Sequence, residues 1–552
     1  MVVLFFRNQS QITDSSVVVD EMSEEESNLL NANFERLLVM SEEDDEPDDN
    51  DDDGVTHDVT NTSEDDQDEE ESDDDDDNDS SPDTWSDNVV VHDSWTFNSN
   101  SGIAPNILSD CKHPIDFFFL FVNDDVLNLI VDETNRYGLT RNRAWVPTDA
   151  LEMKRFFGLC LQMGIVKLPK LRDYWSTRPV FGGYPIGSKV MSRNRFEDIL
   201  SNLHLADNAS FDGSDRLYKV TPFIRLFNAA CERSFTPGQE VCIDESLVPF
   251  RGRVIFRQYI PNKRHKYGIK LFKLCTRGGY TWRTIVYAGR DSSRIGSVAE
   301  SVVMKLMDGL LDEGRHLYTD NWYTSLPLAE RLIPRRTHLI GTVNRNRKGL
   351  PKRVTERKLK KGESVAQQNK SGVTVLKWRD KRDILMLSTT HDAAIGENRK
   401  PQIVEDYNQA KLYVDTSDQM ASYSPFVRRT KKWYIRLLFH LLTQTSLVNA
   451  WRLYNDNIQR ISFNDFKIEV IEYLLDNERL NATTTTRHSL EELAGPKAVT
   501  RRRCSSCYRN WSKKEGSRSA DVNTKKVNTR CNKCHKHFCI DCFNKYHKKC
   551  SN

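Results

Sequence analysis

Charge is segregated along this chain so strongly that its two parts cannot fold in the same way. Residues 1–100 contain 34 of the 80 acidic residues but only two basic ones, Arg7 and Arg36. Runs such as EEDDEPDDNDDD leave too little apolar surface to offset the conformational entropy lost on folding. We therefore expect a disordered acidic tail over 1–105, which either competes with an anionic ligand or simply aids solubility.

The rest of the chain is basic, with 77 Lys and Arg residues against 46 Asp and Glu residues over 101–552. Such an excess is the electrostatic footprint of a protein that binds a polyanion. No apolar run approaches the roughly 18 residues of a membrane span, and the start MVVLFFR lacks the pattern of a secretory signal. We therefore expect an intracellular protein with no membrane contact and with reduced cysteines.

Apolar spacing divides the basic part into helical and strand-rich segments. Phe196, Ile199, Leu200 and Leu203 recur at helical spacing and are typical of a core-facing stripe. From Gln239 the predicted order is three strands, a helix, a strand, a helix and a strand, which describes a mixed sheet with helices packed on it.

Aspartates follow two of these predicted strands. EVCID is predicted to end at Asp244 and HLYTD at Asp320, and adjacent strands would bring the two carboxylates together. The segment YNQAKLYVDTSDQM is predicted to be a helix that adds Asp415, with Asp418 on the same side one turn later. Clustered carboxylates repel one another, so the pattern favours a Mg²⁺ or Mn²⁺ site, although an isolated Asp-x-x-Asp is also typical of a solvated turn.

Seven of the twelve cysteines lie within 504–552, where six form three closely spaced pairs and Cys550 forms a fourth pair with His547. Four ligand pairs are enough for two tetrahedral zinc ions, which would supply much of the folding energy of so small a segment. The cross-brace pairing would join Cys504 and Cys507 with Cys539 and Cys542, and Cys531 and Cys534 with His547 and Cys550. His535 or His537 is an alternative to Cys550 as the eighth ligand. Fifteen basic residues against three acidic ones over 501–552 favour contacts to DNA phosphates.

Three ordered blocks, VCIDESLVPFRGR, YTDNWYTSLPLAERL and YNQAKLYVDTSDQM, resemble the catalytic blocks of piggyBac-type transposases. DETNRYG, LQMGIVKLPKLRDYWSTRP and LHLADN are similar to further family segments, so the resemblance covers about 112–550. It implies an α/β ribonuclease H-like catalytic core with an insertion domain, flanked by a split helical domain for dimerisation and DNA binding. The implied segments are 106–238 (helical, first part), 239–344 (core), 345–401 (insertion), 402–423 (core), 424–480 (helical, second part), 481–500 (linker) and 501–552 (zinc-binding domain).

The resemblance also implies an activity and a set of site residues. Asp244, Asp320 and Asp415 would be a metal-binding catalytic triad, with Asp418 as an additional important aspartate. The family chemistry is cut-and-paste transposition by a nuclear homodimer, in which nicking, hairpin formation and joining at TTAA targets follow one another. Contacts to DNA are assigned to Trp433, Arg251, Arg253, Lys263, Arg264 and Lys266, with a buried core position as the alternative for Trp433.

Leu412 and Tyr413 stand where the family usually has glycine or alanine just before the third aspartate. Two large side chains are expected to crowd DNA or displace Asp415. A domesticated DNA-binding protein without cleavage activity is therefore the alternative function. A zinc-finger adaptor for other proteins would leave the aspartate pattern unexplained.

Overall fold

A computed structural model describes most of the chain from residue 85 onward. The described residues are 85–90, 95–181, 189–261, 265–289, 297–426, 430–476, 490–493, 495–496, 500–531 and 536–547, without the side chains of 546 and 547. Leu168–Tyr174 belong to a different compact unit from the other described residues, and Lys170 N donates to Asp173 Oδ2 within it.

Helices lie before and after the central strands in sequence. The first group is α1 (Pro105–Asp110), α2 (Pro114–Phe119), α3 (Asp124–Arg141), α4 (Ala150–Ile165), α5 (Arg193–Asn202) and α6 (Thr221–Ser234). The second group is α12 (Trp433–His440), α13 (Ser446–Asn457) and α14 (Phe463–Leu475), with a π-helical turn at Leu441–Thr445 between the first two. Side-chain caps explain several starts, because Asn123, Asp149 and Ser462 each accept a hydrogen bond from the N–H three residues later.

The core stripe predicted on α5 is confirmed. Phe196, Ile199 and Leu203 are fully buried, and Leu200 is half-buried.

Ten strands of the described chain form one mixed sheet at the centre. Its middle strands are β4 (Glu240–Pro249), β5 (Gln258–Tyr259), β6 (Tyr267–Thr276), β7 (Tyr280–Val286), β8 (His316–Thr319) and β9 (His338–Thr342). Strand β4 pairs with β6 in antiparallel and with β8 in parallel fashion, and β8 pairs in parallel with β9. Helices α7 (Val298–Leu306) and α8 (Leu326–Leu332) connect β7 to β8 and β8 to β9, so the predicted order of elements is confirmed apart from the short strand β5, which was not predicted.

One strand boundary was predicted wrongly. Strand β4 does not end at Asp244 but continues to Pro249, because β6 offers a pairing partner as far as Gly268. Asp and Glu are depleted in strands, so the sequence alone favours an end at this position.

The segment predicted as an insertion supplies the outer strands of the same sheet. It contains α9 (Lys352–Thr355), β10 (Ser364–Asn369), β11 (Thr374–Arg379) and β12 (Asp383–Ser388). Strand β12 pairs with β9, where Met386 lies opposite Thr342. Helices α10 (Gln402–Ala410) and α11 (Tyr413–Ala421) follow, and α11 packs on β4 and β6.

The prediction of a disordered tail reaching residue 105 is wrong at its carboxyl end. The described residues between 85 and 104, here called the strap, pack on the folded part. Its strands β1 (Trp85–Ser86) and β2 (Gly102–Ile103) pair with β10 and with β3 (Phe235–Thr236), respectively. Trp95 stacks on His338 with ring centroids 4.4 Å apart. The acidic composition of the first 100 residues concealed these few aromatic anchors. Residues 1–84 and 91–94 lie outside the described residues.

The cysteine-rich end folds around short strand pairs. Its elements are β13 (Leu490–Glu492), β14 (Arg502–Arg503), α15 (Ser505–Glu515), α16 (Ser517–Asn523), β15 (Lys526–Val527), β16 (Thr529–Cys531) and α17 (Ile540–His547). Strand β13 pairs with β16, and Leu490 packs against the buried cluster of Cys504, Val527 and Phe538. The predicted linker over 481–500 is therefore too long, since Leu490–Glu492 belong to this module.

None of the helices in the described part of the chain is both long and apolar enough to cross a membrane.

Candidate carboxylate site and cysteine cluster

Asp244 and Asp320 lie side by side because their strands are parallel neighbours. Ile243 in β4 is in register with Thr319 in β8, so an aspartate is the next residue of each strand. The backbone N–H of Trp322 donates to Asp320 Oδ1 at 3.0 Å and holds that carboxylate at the end of β8. The two carboxyl groups meet where β8 ends, as the adjacency of the two predicted strands indicated.

A third carboxylate, Glu245, joins this cluster, and the sequence analysis missed it. Oxygen atoms of Asp244, Glu245 and Asp320 all lie within 4.8 Å of one another. Neighbouring residues of a strand point to opposite faces, so Asp-Glu gave no reason to expect a shared site. Because β8 ends at Thr319, its pairing with β4 stops at Ile243, and the Glu245 side chain can approach the aspartates. The adjacent acidic residues Asp244 and Glu245 were the sequence signal that could have indicated this third carboxylate.

Crowding of three carboxylates disfavours their ionisation. Burial, followed by the charge of Glu245, raises the pKa of Asp244 to about 8. The same two causes raise the pKa of Asp320 to about 6, although backbone N–H groups and Lys270 oppose the shift. A cation held by these oxygens would remove the repulsion.

The surroundings of the cluster fit a hard divalent cation. The donors are carboxylate oxygens, which Mg²⁺ and Mn²⁺ prefer. The hydroxyl oxygen of Tyr323 is buried and has no hydrogen-bond partner within the described chain. Burial, and then the charges of Glu245, Asp244 and Asp320, raise the pKa of this tyrosine. Tyr323 thus leaves a polar atom beside the carboxylates that water on a bound cation would satisfy.

Asp415 lies in the first turn of α11 with an exposed side chain. It is not a member of the 4.8 Å carboxylate group found among the described residues. Its charge nevertheless reaches β4: burial raises the pKa of Cys242 most, followed by the charges of Asp244, Cys275, Asp415 and Asp320. Cys242 Sγ lies 3.8 Å from the carbonyl oxygen of Lys411, just before α11. The structure thus brings Asp244 and Asp320 together and leaves Asp415 outside their group, on the exposed side of α11.

Asp418 occupies a different environment. Its Oδ1 accepts hydrogen bonds from Lys273 Nζ at 2.7 Å and from Ser246 Oγ at 2.8 Å. The Lys273 side chain is fully buried, whereas that of Asp418 is 31% exposed. The structure does not place Asp418 in the carboxylate cluster.

The expected crowding by Leu412 and Tyr413 is wrong for Tyr413. Its ring packs in the core with Cys242, Tyr318 and Val414, and its hydroxyl donates to Glu240 Oε2 at 2.6 Å. Leu412 is 49% exposed at the start of α11. Only Leu412 projects towards solvent beside Asp415.

The predicted DNA contacts cluster around the loop after β4. Arg251, Arg253 and Lys266 are exposed, and Lys263 and Arg264 lie outside the described residues. Trp433 at the start of α12 is half-buried and meets Phe256 of this loop edge-on, with ring centroids 5.1 Å apart. Trp433 is therefore neither fully buried nor fully exposed, and its ring contacts the basic loop.

Four cysteine sulfurs converge in the carboxyl-terminal module. Those of Cys504, Cys507, Cys539 and Cys542 all lie within 4.8 Å of one another. Three separations are 3.8 Å for Cys504–Cys539, 3.9 Å for Cys507–Cys539 and 3.5 Å for Cys507–Cys542. In a tetrahedral zinc site with Zn–S bonds of about 2.3 Å, two sulfurs lie about 3.8 Å apart. These are the four residues that the cross-brace pairing joined.

The same cluster favours one thiolate. Burial opposes ionisation of Cys504, but the N–H groups of Cys507 and Cys539 outweigh it and lower the pKa of this thiol to about 7. Burial and neighbouring sulfurs raise the pKa of Cys507.

The second predicted ligand set is described only in part. Cys531 is buried, Cys534, His535 and Cys550 lie outside the described residues, and so does the side chain of His547. Nδ1 of His537 is buried without a hydrogen-bond partner in the described part of the module. The composition of this second set stays a prediction.

The fold and the site define a class: a mixed-sheet protein with clustered carboxylates beside a basic loop, joined to a cysteine-rich module. The profile of the family described as Transposase IS4 matches residues 113–451. Human piggyBac transposable element-derived protein 3 is 27% identical over 471 residues, which cover 80% of this chain and 76% of the relative. Human piggyBac transposable element-derived protein 2 is 26% identical over 417 residues, which cover 70% and 68%.

A solved structure, the cryo-EM structure of a piggyBac transposase synaptic complex with hairpin DNA, is also similar. It has a TM-score of 0.62 and 28% sequence identity, and the match covers 80% of this chain and 98% of that one. The chain therefore belongs to the Transposase IS4 family, as a piggyBac-type member.

Proposed function

We propose that this chain is a DNA transposase that cleaves and joins strands by metal-dependent phosphoryl transfer on a ribonuclease H-like core. The observation that carries the proposal is the group of carboxylates at the end of β8, in a chain of a transposase family. A structural protein would gain nothing from three half-buried carboxylates that repel one another.

Asp244 and Asp320 would hold a divalent cation, with Glu245 at the same position and Asp415 reaching it from α11. When bound, Mg²⁺ or Mn²⁺ supplies Lewis acidity for phosphoryl transfer. The basic loop would orient the DNA backbone, and Trp433 would stack on an unpaired base. Phe256 supports this ring from the side, so only part of its surface is open for stacking.

Double-stranded DNA is the proposed substrate. The solved relative is described as a complex with hairpin DNA, which supports this choice. In this chain, Arg251, Arg253 and Lys266 are exposed and lie on the two loops that flank β5, after the strand that carries Asp244. A groove of about 470 Å³ on α15 offers further phosphate contacts through Arg503, Arg509 and Lys513. Both surfaces suit contacts that are strong at low salt and weak at high salt.

The finer features of the family reaction are part of the proposal. They are cutting at TTAA targets through a hairpin intermediate, action as a homodimer, and location in the nucleus. The solved relative is described as a synaptic complex, which supports action as an assembly on DNA. The excess of basic residues after residue 100 supports a location where DNA is present.

Two structural zinc ions are proposed for the carboxyl-terminal module. The sulfur separations of the four-cysteine cluster support the first. The buried Cys531 in β16 and the paired spacing of Cys534, His547 and Cys550 support the second.

The test is strand nicking of a supercoiled plasmid that carries the repeats flanking the gene, with Mg²⁺ or Mn²⁺ present. Asp244→Asn, Asp320→Asn and Asp415→Asn should each reduce nicking below detection while DNA binding stays nearly intact. Asp383→Asn is the matched control, because its carboxylate is an exposed partner of Arg379 in the outer strands. Full nicking by Asp320→Asn would remove the site assignment.

A domesticated DNA-binding protein is the second candidate. The exposed position of Asp415 outside the 4.8 Å carboxylate group favours it. If the wild-type protein binds the plasmid but never nicks it under any of these metal conditions, this candidate replaces the first.

A further inference from the structure

A buried lysine lies directly beside the first catalytic strand position. Lys273 in β6 is the antiparallel partner of Asp244 in β4, so both side chains leave the same face of the sheet. The Lys273 side chain has no exposed surface. An ammonium group in such a place is costly unless an anion compensates it.

The compensating anion comes from helix α11. Lys273 Nζ donates to Asp418 Oδ1 at 2.7 Å, and Ser246 Oγ donates to the same oxygen at 2.8 Å. Ser246 is two residues beyond Asp244 on β4 and therefore lies on the same face. One carboxylate oxygen of α11 is thus tied to both strands that meet at Asp244.

The charge of Lys273 is felt by its other buried neighbour as well. Burial, followed by the charge of Lys273, lowers the pKa of His440 to about 3. This imidazole is neutral at physiological pH and adds no second positive charge. The ammonium group is therefore compensated by the carboxylate of Asp418. Loss of Asp418 would leave the ammonium group as an uncompensated buried charge, and loss of Lys273 would leave a partly exposed carboxylate without its partner.

A second attachment holds the opposite end of the same helix. The Tyr413 hydroxyl donates to Glu240 Oε2 at the start of β4, while the Leu412 side chain caps no N–H group. Asp415 lies between the two attachments, at Tyr413 and Asp418. Contacts on both sides of Asp415 therefore tie this part of α11 to β4 and β6.

We propose that Lys273 is a positioning residue: through Asp418 it fixes α11, and with it Asp415, relative to Asp244. Asp418 then acts as the anchor of the helix, and not as a ligand of the cation or a catalytic group. The inference rests on the proposed function, because it assigns Asp415 to the cleavage site.

The test compares a broken, a replaced and a distant ion pair in the full chain. Lys273→Met leaves Asp418 without its ammonium, and Lys273→Met/Asp418→Leu replaces the pair by apolar side chains. Lys377→Met is the matched control, because Lys377 is also buried in the sheet and pairs with Asp383 in the outer strands. The measurements are the nicking rate, the Mn²⁺ concentration at half-maximal nicking, urea unfolding, and hydrogen exchange of α11 and β11.

Lys273→Met should slow nicking about 100-fold, as a displacement of about 1 Å does, and should raise the Mn²⁺ requirement. The double variant should regain the stability of the wild type, since apolar replacement of a buried pair is often neutral. Its nicking should nevertheless stay low, and its α11 amides should exchange faster while β11 is unchanged. Lys377→Met should alter stability but not the Mn²⁺ requirement.

Wild-type nicking by the double variant would show that the pair serves stability alone and would overturn the inference. Wild-type nicking by Lys273→Met would overturn it too. If the wild-type protein does not nick DNA, the proposed function fails, and hydrogen exchange then decides this inference separately. Faster exchange confined to α11 in the double variant upholds the anchoring of the helix, and unchanged exchange refutes it.

Discussion

Removal of divalent cations should make the protein less stable as pH rises, because the carboxylate cluster must then ionise without compensation. Burial and Glu245 raise the pKa of Asp244 from 3.8 to about 8. Between these values the folded protein retains a proton that the unfolded chain has released. The free energy of unfolding therefore falls by about 1.4 kcal/mol for each pH unit from this group. Between pH 5.5 and 7.5 the loss is about 3 kcal/mol, and Asp320, with a pKa of about 6, adds to it only near the lower limit.

Urea unfolding in EDTA at pH 5.5 and 7.5 measures this effect for the wild type and for Asp244→Asn. The asparagine variant carries no titrating group at this position, so its stability should fall less with pH than that of the wild type. EDTA removes metal from the cysteine cluster of both proteins, so the difference between their free energies of unfolding reports on the carboxylate cluster. Mn²⁺ at pH 7.5 should stabilise the wild type more than the variant. A wild-type stability that rises with pH relative to the variant would refute the account of the cluster.

Three further predictions concern the tyrosine, the tail and the cysteines. Tyr413→Phe removes the hydroxyl that donates to Glu240 and should lower the free energy of unfolding by about 2 kcal/mol in urea titrations. Leu412→Gly should lower it by about 1 kcal/mol or less. Equal stability of Tyr413→Phe and the wild type would contradict the hydrogen bond. Deletion of residues 1–84 should raise the affinity for duplex DNA most clearly at low salt, because charge is then least screened. An unchanged affinity at low salt would show that the tail does not compete for the basic surface. Deletion through residue 104 also removes the strap and should lower the unfolding temperature. Cys507→Ser should lose about one zinc ion per chain by elemental analysis, whereas Cys111→Ser, a buried cysteine of the helical part, should lose none.

Sequence patterns predicted the parts of the fold that depend on local periodicity. Apart from the short strand β5, the strand and helix order from Gln239 to Thr342 follows from alternating and helical apolar spacing. The meeting of Asp244 and Asp320 followed from strand adjacency alone. These features depend on few residues close together in sequence.

The errors have a common physical cause, because they concern partners distant in sequence. Strand β4 continues past Asp244 only because β6 pairs with it, and Trp85–Ser86 are ordered only because β10 lies beside them. Glu245 joins the aspartates because β8 stops short, and Asp418 turns to Lys273, which is 145 residues away. Tyr413 was expected to crowd the site, but the core below α11 has a place for its ring.

The most direct test of the central claim is the position of Mn²⁺ in crystals soaked with the ion, located by anomalous scattering. The account predicts a peak between the carboxylates of Asp244 and Asp320, with Glu245 in contact and Asp415 drawn towards the ion. The peak should disappear in Asp244→Asn crystals soaked in the same way. A wild-type structure at saturating Mn²⁺ with no peak at these carboxylates would contradict the claim that they form a metal site.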